Sequence, residues 1–390
     1  MAKIGFTVGT TDGGGADLGD LLVPRDIFSE GGLWTWGNAT YGVLGDNTVI
    51  AKSSPVQTIT GGTNWKQVSG GLYTAAAIKT DGTLWAWGDN YYGQLGNSTV
   101  VPKSSPVQTI AGGTNWKQVA CGYNHTSAVK TDGTLWTWGR NAAGQLGDST
   151  FVTKSSPVQT IAGGTNWKQV AAGVYHTSAI KTDGTLWSWG FNNSGQLGDN
   201  TPSSTFSPVQ TIAGGTNWKQ VACGSYHTAA IKTDGTLWTW GNATYGVLGD
   251  NTVIAKSSPV QTITGGTNWK QVACGYRHTA AIKTDGTLWT CGYNYYGQLG
   301  DNTGVSKSSP VQTIAGGTNW KQVAAGSAGI HTAAIKTDGT LWSWGFNVSG
   351  QLGDNTTTNK SSPVQTITGG TNWKQVACGY RHTAAVKDDM

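Results

Sequence analysis

Residues 61–68 read GGTNWKQV, and the same eight letters return six more times along the 390-residue chain. The Trp of this phrase stands at 65, 116, 167, 218, 269, 320 and 373, so five steps measure 51 residues and the last measures 53. A second phrase, LW followed by a Trp-Gly pair, keeps the same beat from Trp34 and Trp85 to Trp342. Self-similarity at such a period marks a repeat architecture and sets the fold before any single residue is weighed. The copies are nearly uniform: residues 33–68 and 237–272 are one string.

Each unit reads as four strands: WKQVAxG, an HTAAIK-type stretch, TLWxWG and SPVQTI. The TDGT between the second and third supplies the positive φ that a tight hairpin needs. The Pro that opens the fourth strand has no N–H and suits an outer edge. Seven such units predict an all-β fold, a seven-bladed β-propeller of four-stranded antiparallel blades. The repeat region opens at Leu33 with a third strand and ends at Lys387 with a first and a second. Pairing of the N- and C-terminal segments would therefore complete one blade and remove the exposed sheet edges. The domains read as a Gly-rich arm at 1–32, a propeller at 33–387 and a tail at 388–390. The arm's DLGDLLVPRDIF (17–28) mixes apolar and charged residues, as a tether or docking segment does.

Charged residues make up only 12%, while 59 Gly accompany 20 Trp and 13 Tyr. That balance fits short strands with much to bury and argues against a disordered chain. The net charge is +5, and the lysines are spread by the repeat, so no basic face for nucleic acid is expected. The opening MAKIGFTVGTTDGGG lacks a secretory apolar run, and no eighteen consecutive apolar residues occur. A soluble protein without membrane insertion is expected, or one exported by a route the sequence does not encode. Cys121, Cys223, Cys274 and Cys378 share one repeat position, which we align with Ser69, Ala172 and Ala325. A place that accepts Ser, Ala or Cys needs a small side chain, not a disulfide or a metal. Cys291 replaces the second Trp of LWxWG.

The motif LWTWGxNxxGQLGD, as at 135–148 and 186–199, resembles the regulator of chromosome condensation repeat, and so does GxxHT, as at 122–126. The resemblance covers about nine tenths of the chain and recurs in every blade; kelch propellers lack GQLGD. It implies the seven-bladed ring, but this family includes a nucleotide exchange factor, a plant UV-B photoreceptor, ubiquitin-ligase parts and a β-lactamase inhibitor. Near-uniform tandem copies also look like repeat proteins of bacteria and tailed phages. GYRHT at 275–279 and 379–383 is similar to the photoreceptor's Gly-Trp-Arg-His-Thr, with Tyr276 and Tyr380 in place of the Trp. All Trp here are taken by scaffold positions, so a Trp-based light sensor is not expected.

Variation falls on one face. The TDGT turns and GGTN links share a face and hardly change, whereas the loops after VACG and after LWxWG share the other and differ between blades. All thirteen Tyr lie in these variable loops. The binding candidates are Tyr91, Tyr92, Tyr123, Arg140, Phe151, Tyr175, Phe191, Phe206 and Tyr226, with Tyr276, Arg277, Tyr293, Tyr295, Tyr296, Phe346, Tyr380 and Arg381. Aromatic and Arg side chains on loops over a rigid frame have the composition of a binding surface. Tyr41 and Tyr245, repeated within one string, read instead as blade-end caps.

No catalytic, metal or cofactor site is expected. The six His (125, 176, 227, 278, 331, 382), with Tyr73 in the seventh position, stand one per blade, too far apart to share a metal. No paired carboxylates, calcium loop or nucleophile elbow appears. The sequence thus predicts a non-enzymatic propeller that binds a protein or glycan on its variable face. Residues 1–32 would dock it into a larger assembly, foremost a phage particle as a fibre, spike or decoration protein with a role in host-receptor binding. That places it in a virion or outside the cell. The alternatives are a cytoplasmic regulator resembling the exchange factor, or another signalling scaffold, and a purely structural decoration protein.

Overall fold

The computed structural model describes residues 31–388 except 61, 112, 213, 214 and 316. The expected arm, up to residue 30, and the last two residues of the tail lie outside the described residues. The described residues form 28 strands in seven four-stranded antiparallel blades. In the second blade the order from the axis outward is Trp116–Cys121, His125–Lys130, Leu135–Gly139 and Lys154–Gln159.

The TDGT turn shows why its letters do not change. Gly133 has φ +81, and its N–H bonds Lys130 O at 3.0 Å to close the hairpin. A Cβ there would strike the backbone of Thr165 on the approach to the next blade. Asp132 Oδ1 accepts from Thr134 N at 2.9 Å and Oγ1 at 2.7 Å, and Thr134 Oγ1 in turn accepts from Trp136 Nε1 at 2.9 Å. The carbonyl of Gly133 then receives the N–H of Trp167 at 2.9 Å, tying the turn to the following blade.

The termini close the ring as expected. Trp373–Cys378 and His382–Asp388 pair with Gly31–Gly37 and Lys52–Gln57 to make one blade. Seven residue pairs, from Gly31↔Asp388 to Gly37↔His382, stitch its two halves. The pairing starts at Gly31, two residues ahead of the repeat's Leu33.

Three sets of bonds join blade to blade. First, the Trp residues pack edge to face, as in Trp116–Trp138 with centroids 6.1 Å apart, and Trp138 Nε1 donates to Gln94 O of the preceding blade at 2.9 Å. Each buried Trp removes on the order of 200 Å² from water, worth about 5 kcal/mol before entropy is charged. Second, the Gln of WKQV pairs like a peptide with the next innermost strand. Gln67 Nε2 donates to Val119 O at 3.2 Å, and Val119 N donates to Gln67 Oε1 at 3.1 Å. The girdle closes where Gln375 Nε2 donates to Val68 O at 2.9 Å and Val68 N to Gln375 Oε1 at 2.7 Å. Third, His125 Nε2 lies 3.0 Å from Thr177 Oγ1 of the next blade, which donates to Gln145 O at 2.8 Å. The hydroxyl proton is spent on that carbonyl, so the imidazole presents Nε2–H and stays neutral. Burial pushes His125 down to about 3. Gly122 of GxxHT is required because a Cβ would collide with this imidazole.

Three sequence expectations need correction. Thr74↔Gly88 occupies the register of His125↔Gly139, so the His position of the first blade holds Thr74, not Tyr73. By the same register Gly70, not Ser69, matches Cys121; the need for a small residue stands. The Pro does not open the outermost strand: Pro157 sits inside Lys154–Gln159, at the register shift between Lys154 and Val158 where ladder pairing lapses.

Candidate functional site

The short loops that follow the innermost strands gather around the axis at one end. Gly122 N bonds His125 O at 2.8 Å, leaving Tyr123 and Asn124 at the tip, and the first, third, fourth, fifth and seventh blades repeat the turn. The tip residues are Leu72–Tyr73, Tyr123–Asn124, Val174–Tyr175, Ser225–Tyr226, Tyr276–Arg277, the longer 327–330 and Tyr380–Arg381. Leu72, Val174 and Ala328, from three different blades, pack together and are buried. Ser225 Oγ donates to Ser327 O at 2.7 Å between the fourth and sixth blades. Tyr276 N bonds Gly329 O at 2.9 Å, so the two-residue insertion in the sixth blade fills the middle.

Around this stopper stand the aromatic rings. A cavity of about 480 Å³ is lined by Tyr73, Tyr123, Tyr175, Tyr226, Tyr276 and Tyr380 of the short loops, with Arg277 and Ile330, and by Tyr245, Tyr293 and Tyr296 of the long ones. Beside it, a hollow of about 230 Å³ lies between Arg140, Phe191, Tyr175 and Tyr226. Each variable-loop Arg bridges two rings. Arg140 lies 5.3 Å from Tyr92 and 5.6 Å from Tyr175, Arg277 5.5 Å from Tyr245 and 5.0 Å from Tyr276, and Arg381 5.3 Å from Phe346 and 4.8 Å from Tyr380. Burial, then the neighbouring Tyr380, raises the Tyr73 phenol; burial, then Tyr175, raises Tyr123 and Tyr226. These hydroxyls are therefore neutral donors at physiological pH.

The long loops are rigid supports. Asn141 Nδ2 donates to Asp148 Oδ1 at 3.0 Å and Thr150 O at 2.9 Å, while its Oδ1 accepts from Leu146 N at 3.0 Å. Asp148 is also held by Thr150 N and by Lys154 at 3.9 Å. Its oxygens serve the loop's own hydrogen bonds, and no His, Cys, Asp or Glu group suited to a metal occurs among the described residues. The six His are locked between blades, at five interfaces by the next blade's Thr.

The structure brings most candidates together but not all. Tyr295 stacks on Tyr293 at 6.4 Å and is 70% exposed, at the edge of the cavity rather than in its wall. Tyr91 and Tyr92 form a separate pair at 5.2 Å, joined to the site through Arg140. Phe151 and Phe206 meet each other at 5.1 Å and line neither hollow. Phe346 is only 7% exposed beneath Tyr296 and Arg381, so it supports the face and does not present a contact surface. Tyr245, read from sequence as a cap, packs on Tyr293 at 4.7 Å and lines the cavity. Sequence reasoning also missed Leu72, Tyr73, Val174 and Ile330. Their signal was position, between the Gly and the place of the His.

A closed ring of seven four-stranded antiparallel blades, nearly constant in sequence on one face and set with non-repeating aromatics on the other, is a seven-bladed β-propeller. The RCC1-like domain profile matches residues 27–269 and 166–390, and the chain belongs to that family. It is 35% identical over 329 residues to the ultraviolet-B receptor UVR8 of Arabidopsis thaliana, spanning 82% of this chain and 74% of the receptor. It is 31% identical to the human ubiquitin ligase HERC2 over 83% of this chain but only 7% of the ligase. Among solved structures, yeast Prp20p, which binds Gsp1p and histones, superposes with TM-score 0.81 at 20% identity, covering 93% of this chain and 92% of Prp20p. Human WBSCR16 gives 0.80 at 22% identity, over 92% and 99% of the two chains. The chain is thus an RCC1-like propeller, a binding or regulatory scaffold.

Proposed function

We propose that this propeller is a non-enzymatic recognition module whose Tyr- and Arg-lined cavity binds a protein or glycan partner. One observation carries the reading: the residues that break the repeat converge on a single hollow at one end of the axis, and the opposite face keeps its sequence. Tyr rings offer flat apolar contact at low entropic cost, and phenol and guanidinium groups add hydrogen bonds. The rigid loops below pre-organise these groups, which favours affinity. Service in a larger assembly, a phage particle foremost, is supported by the near-uniform blades and by the composition of residues 1–32.

The test is a screen of displayed peptides and arrayed glycans with the intact chain, repeated with Tyr276→Ala, Tyr226→Ala and Arg277→Ala. Each change should weaken a selected ligand by about 1–2 kcal/mol. Thr165→Ala, an exposed change on the TDGT face, should leave binding as it was. Ligands that ignore all three cavity variants would overturn the assignment.

A further inference from the structure

The lysines of WKQV do not disperse, contrary to what ring symmetry suggested. Each lies on an innermost strand, between the buried Trp and the Gln that bridges to the next blade, and all seven are exposed. The Trp end of every such strand sits on the TDGT face, since Trp167 N bonds Gly133 O and Trp218 N bonds Gly184 O. The seven innermost strands pack side by side around the ring, each against the next. Symmetry therefore collects one cation per blade around the axis, at the end opposite the tyrosines.

Among the described residues only one of these lysines has a carboxylate. Lys374 Nζ lies 2.6 Å from Asp388 Oδ2, and no other member has an ion pair among the described residues. The reason is legible in the backbone. Asp388 N bonds Asn372 O at 3.0 Å, as Thr131 N bonds Asn115 O and Thr233 N bonds Asn217 O at 2.7 Å. The other six blades thus carry a Thr where the closing blade carries Asp388. The Asp residues of the TDGT turns do not compensate, because each is turned onto its own Thr, as Asp132 is onto Thr134. A carboxylate thus seats beside this ring at Lys374, and the other six lysines have no ion pair among the described residues.

We propose that the lysine crown on the TDGT face is a binding site for a compact polyphosphate anion centred on the axis. Seven like charges around one axis act together on a multivalent anion, while a single charge gains little, and salt screens the attraction over about 8 Å. Lys heads are point charges on flexible stems, suited to phosphate oxygens at varied angles.

The test is calorimetric titration of the full chain with inositol hexakisphosphate at low and at physiological salt. One ion should bind per chain, more weakly as salt rises. Three triple variants, each lowering the net charge by the same amount, separate the causes. Lys117→Gln with Lys219→Gln and Lys321→Gln should cost about tenfold or more. Thr131→Asp with Thr233→Asp and Thr337→Asp, which supplies those lysines with their own carboxylates, should cost as much while retaining every lysine. Lys103→Gln with Lys154→Gln and Lys307→Gln, on the outermost strands, should change nothing. Absence of saturable binding at low salt, or equal loss in all three variants, would overturn the proposal. So would a duplex DNA that binds the crown more tightly than the polyphosphate does.

Discussion

At five blade interfaces a buried imidazole meets the hydroxyl of a Thr on the next blade at 2.9 to 3.1 Å. Where the last blade meets the first, Ala75 takes that place: Ala75↔Trp87 has the register of Thr126↔Trp138. His382 is fully buried, and neither of its ring nitrogens has a partner among the described residues. Val43 O accepts from Trp87 Nε1 at 2.8 Å but lacks the second bond that Gln94 O receives from Thr126 Oγ1 at 2.9 Å. Ala75→Thr therefore completes a network that the other interfaces already contain. The new hydroxyl would accept from His382 Nε2–H and donate to Val43 O.

A net hydrogen bond is worth about 0.5–1.5 kcal/mol, and an unsatisfied buried N–H costs about 1–3 kcal/mol. The two figures overlap, since the first bond relieves the second cost. Desolvating the added hydroxyl takes part of the gain back, leaving about 1–2 kcal/mol of stabilisation. With unfolding entropy near 2.1 cal/mol/K per residue, Tm for a ring of this size rises by about 1–3 °C. Calorimetry gives the shift, and proton NMR should show a slowly exchanging imidazole N–H that the parent protein lacks. Ala75→Val is the decisive control, because it has the shape of Thr without the hydroxyl. Equal stabilisation by Val, or loss of stability with Thr but not with Val, would refute the hydrogen-bond argument.

Acid should unfold the ring early. Burial holds His125, His176, His227 and His331 near 3 and His278 and His382 near 4, all below an unfolded value of about 6.5. Their contribution is complete above pH 6.5 and lost as pH falls towards 4. Six such groups lose up to about 8 kcal/mol per pH unit, so Trp fluorescence should report a cooperative transition between pH 6 and 4; a fold intact at pH 3.5 would refute this. All five thiols are buried, and burial pushes Cys121, Cys223, Cys291 and Cys378 up to about 12, so alkylation should be slow in the native protein and complete at five sites after unfolding without reductant. A linked pair on mass analysis would contradict it. Gln375→Leu removes both bonds to Val68 and should lower stability by about 1–3 kcal/mol in chemical denaturation, whereas deleting 374–390 bares strand edges and should cause aggregation.

The fold was legible because its period is carried by large, repeated letters. Trp and the Asp-Gly turn mark buried faces and strand ends, and the broken first and last copies announce the closure. Bonds made by ordinary polar residues were not legible. Gln67 on a strand reads as a solvated side chain until the next blade is in place to receive its amide. The one-residue misalignment at Ser69 and Tyr73 has a local cause, for the first copy lacks the His that the other six share, and only strand register restores it. Burial in the variable loops was equally hidden: Phe346 and Tyr295 look alike in sequence, yet one lies beneath Arg381 and the other in solvent.

The same bonds explain where variation is allowed. In the innermost strands and the turns after them, Trp fills the gap between blades, Gln bridges, and the Gly makes room for an imidazole in five blades and for the next blade's backbone in the first and sixth. Changing any of these leaves a cavity, an orphaned amide or a clash at an interface that must close seven times. The two residues between that Gly and the His, or the Thr that replaces it in the first blade, stand outside this set. In the second to fifth and the seventh blades their turn is closed by a backbone bond from the Gly N–H to the His carbonyl, and in the first by Gly71 N to Thr74 O, a bond that is indifferent to side chain. They can therefore be Leu, Val, Ser, Tyr, Asn or Arg without loosening the ring, and the sixth blade tolerates two extra residues there. A symmetric frame thus confines its freedom to the tips that converge on the axis, and convergence turns seven independent choices into one asymmetric cavity. A ligand there is read by all the blades at once, so exchanging the tip pairs of two blades should change what binds while leaving the melting of the ring nearly as it was.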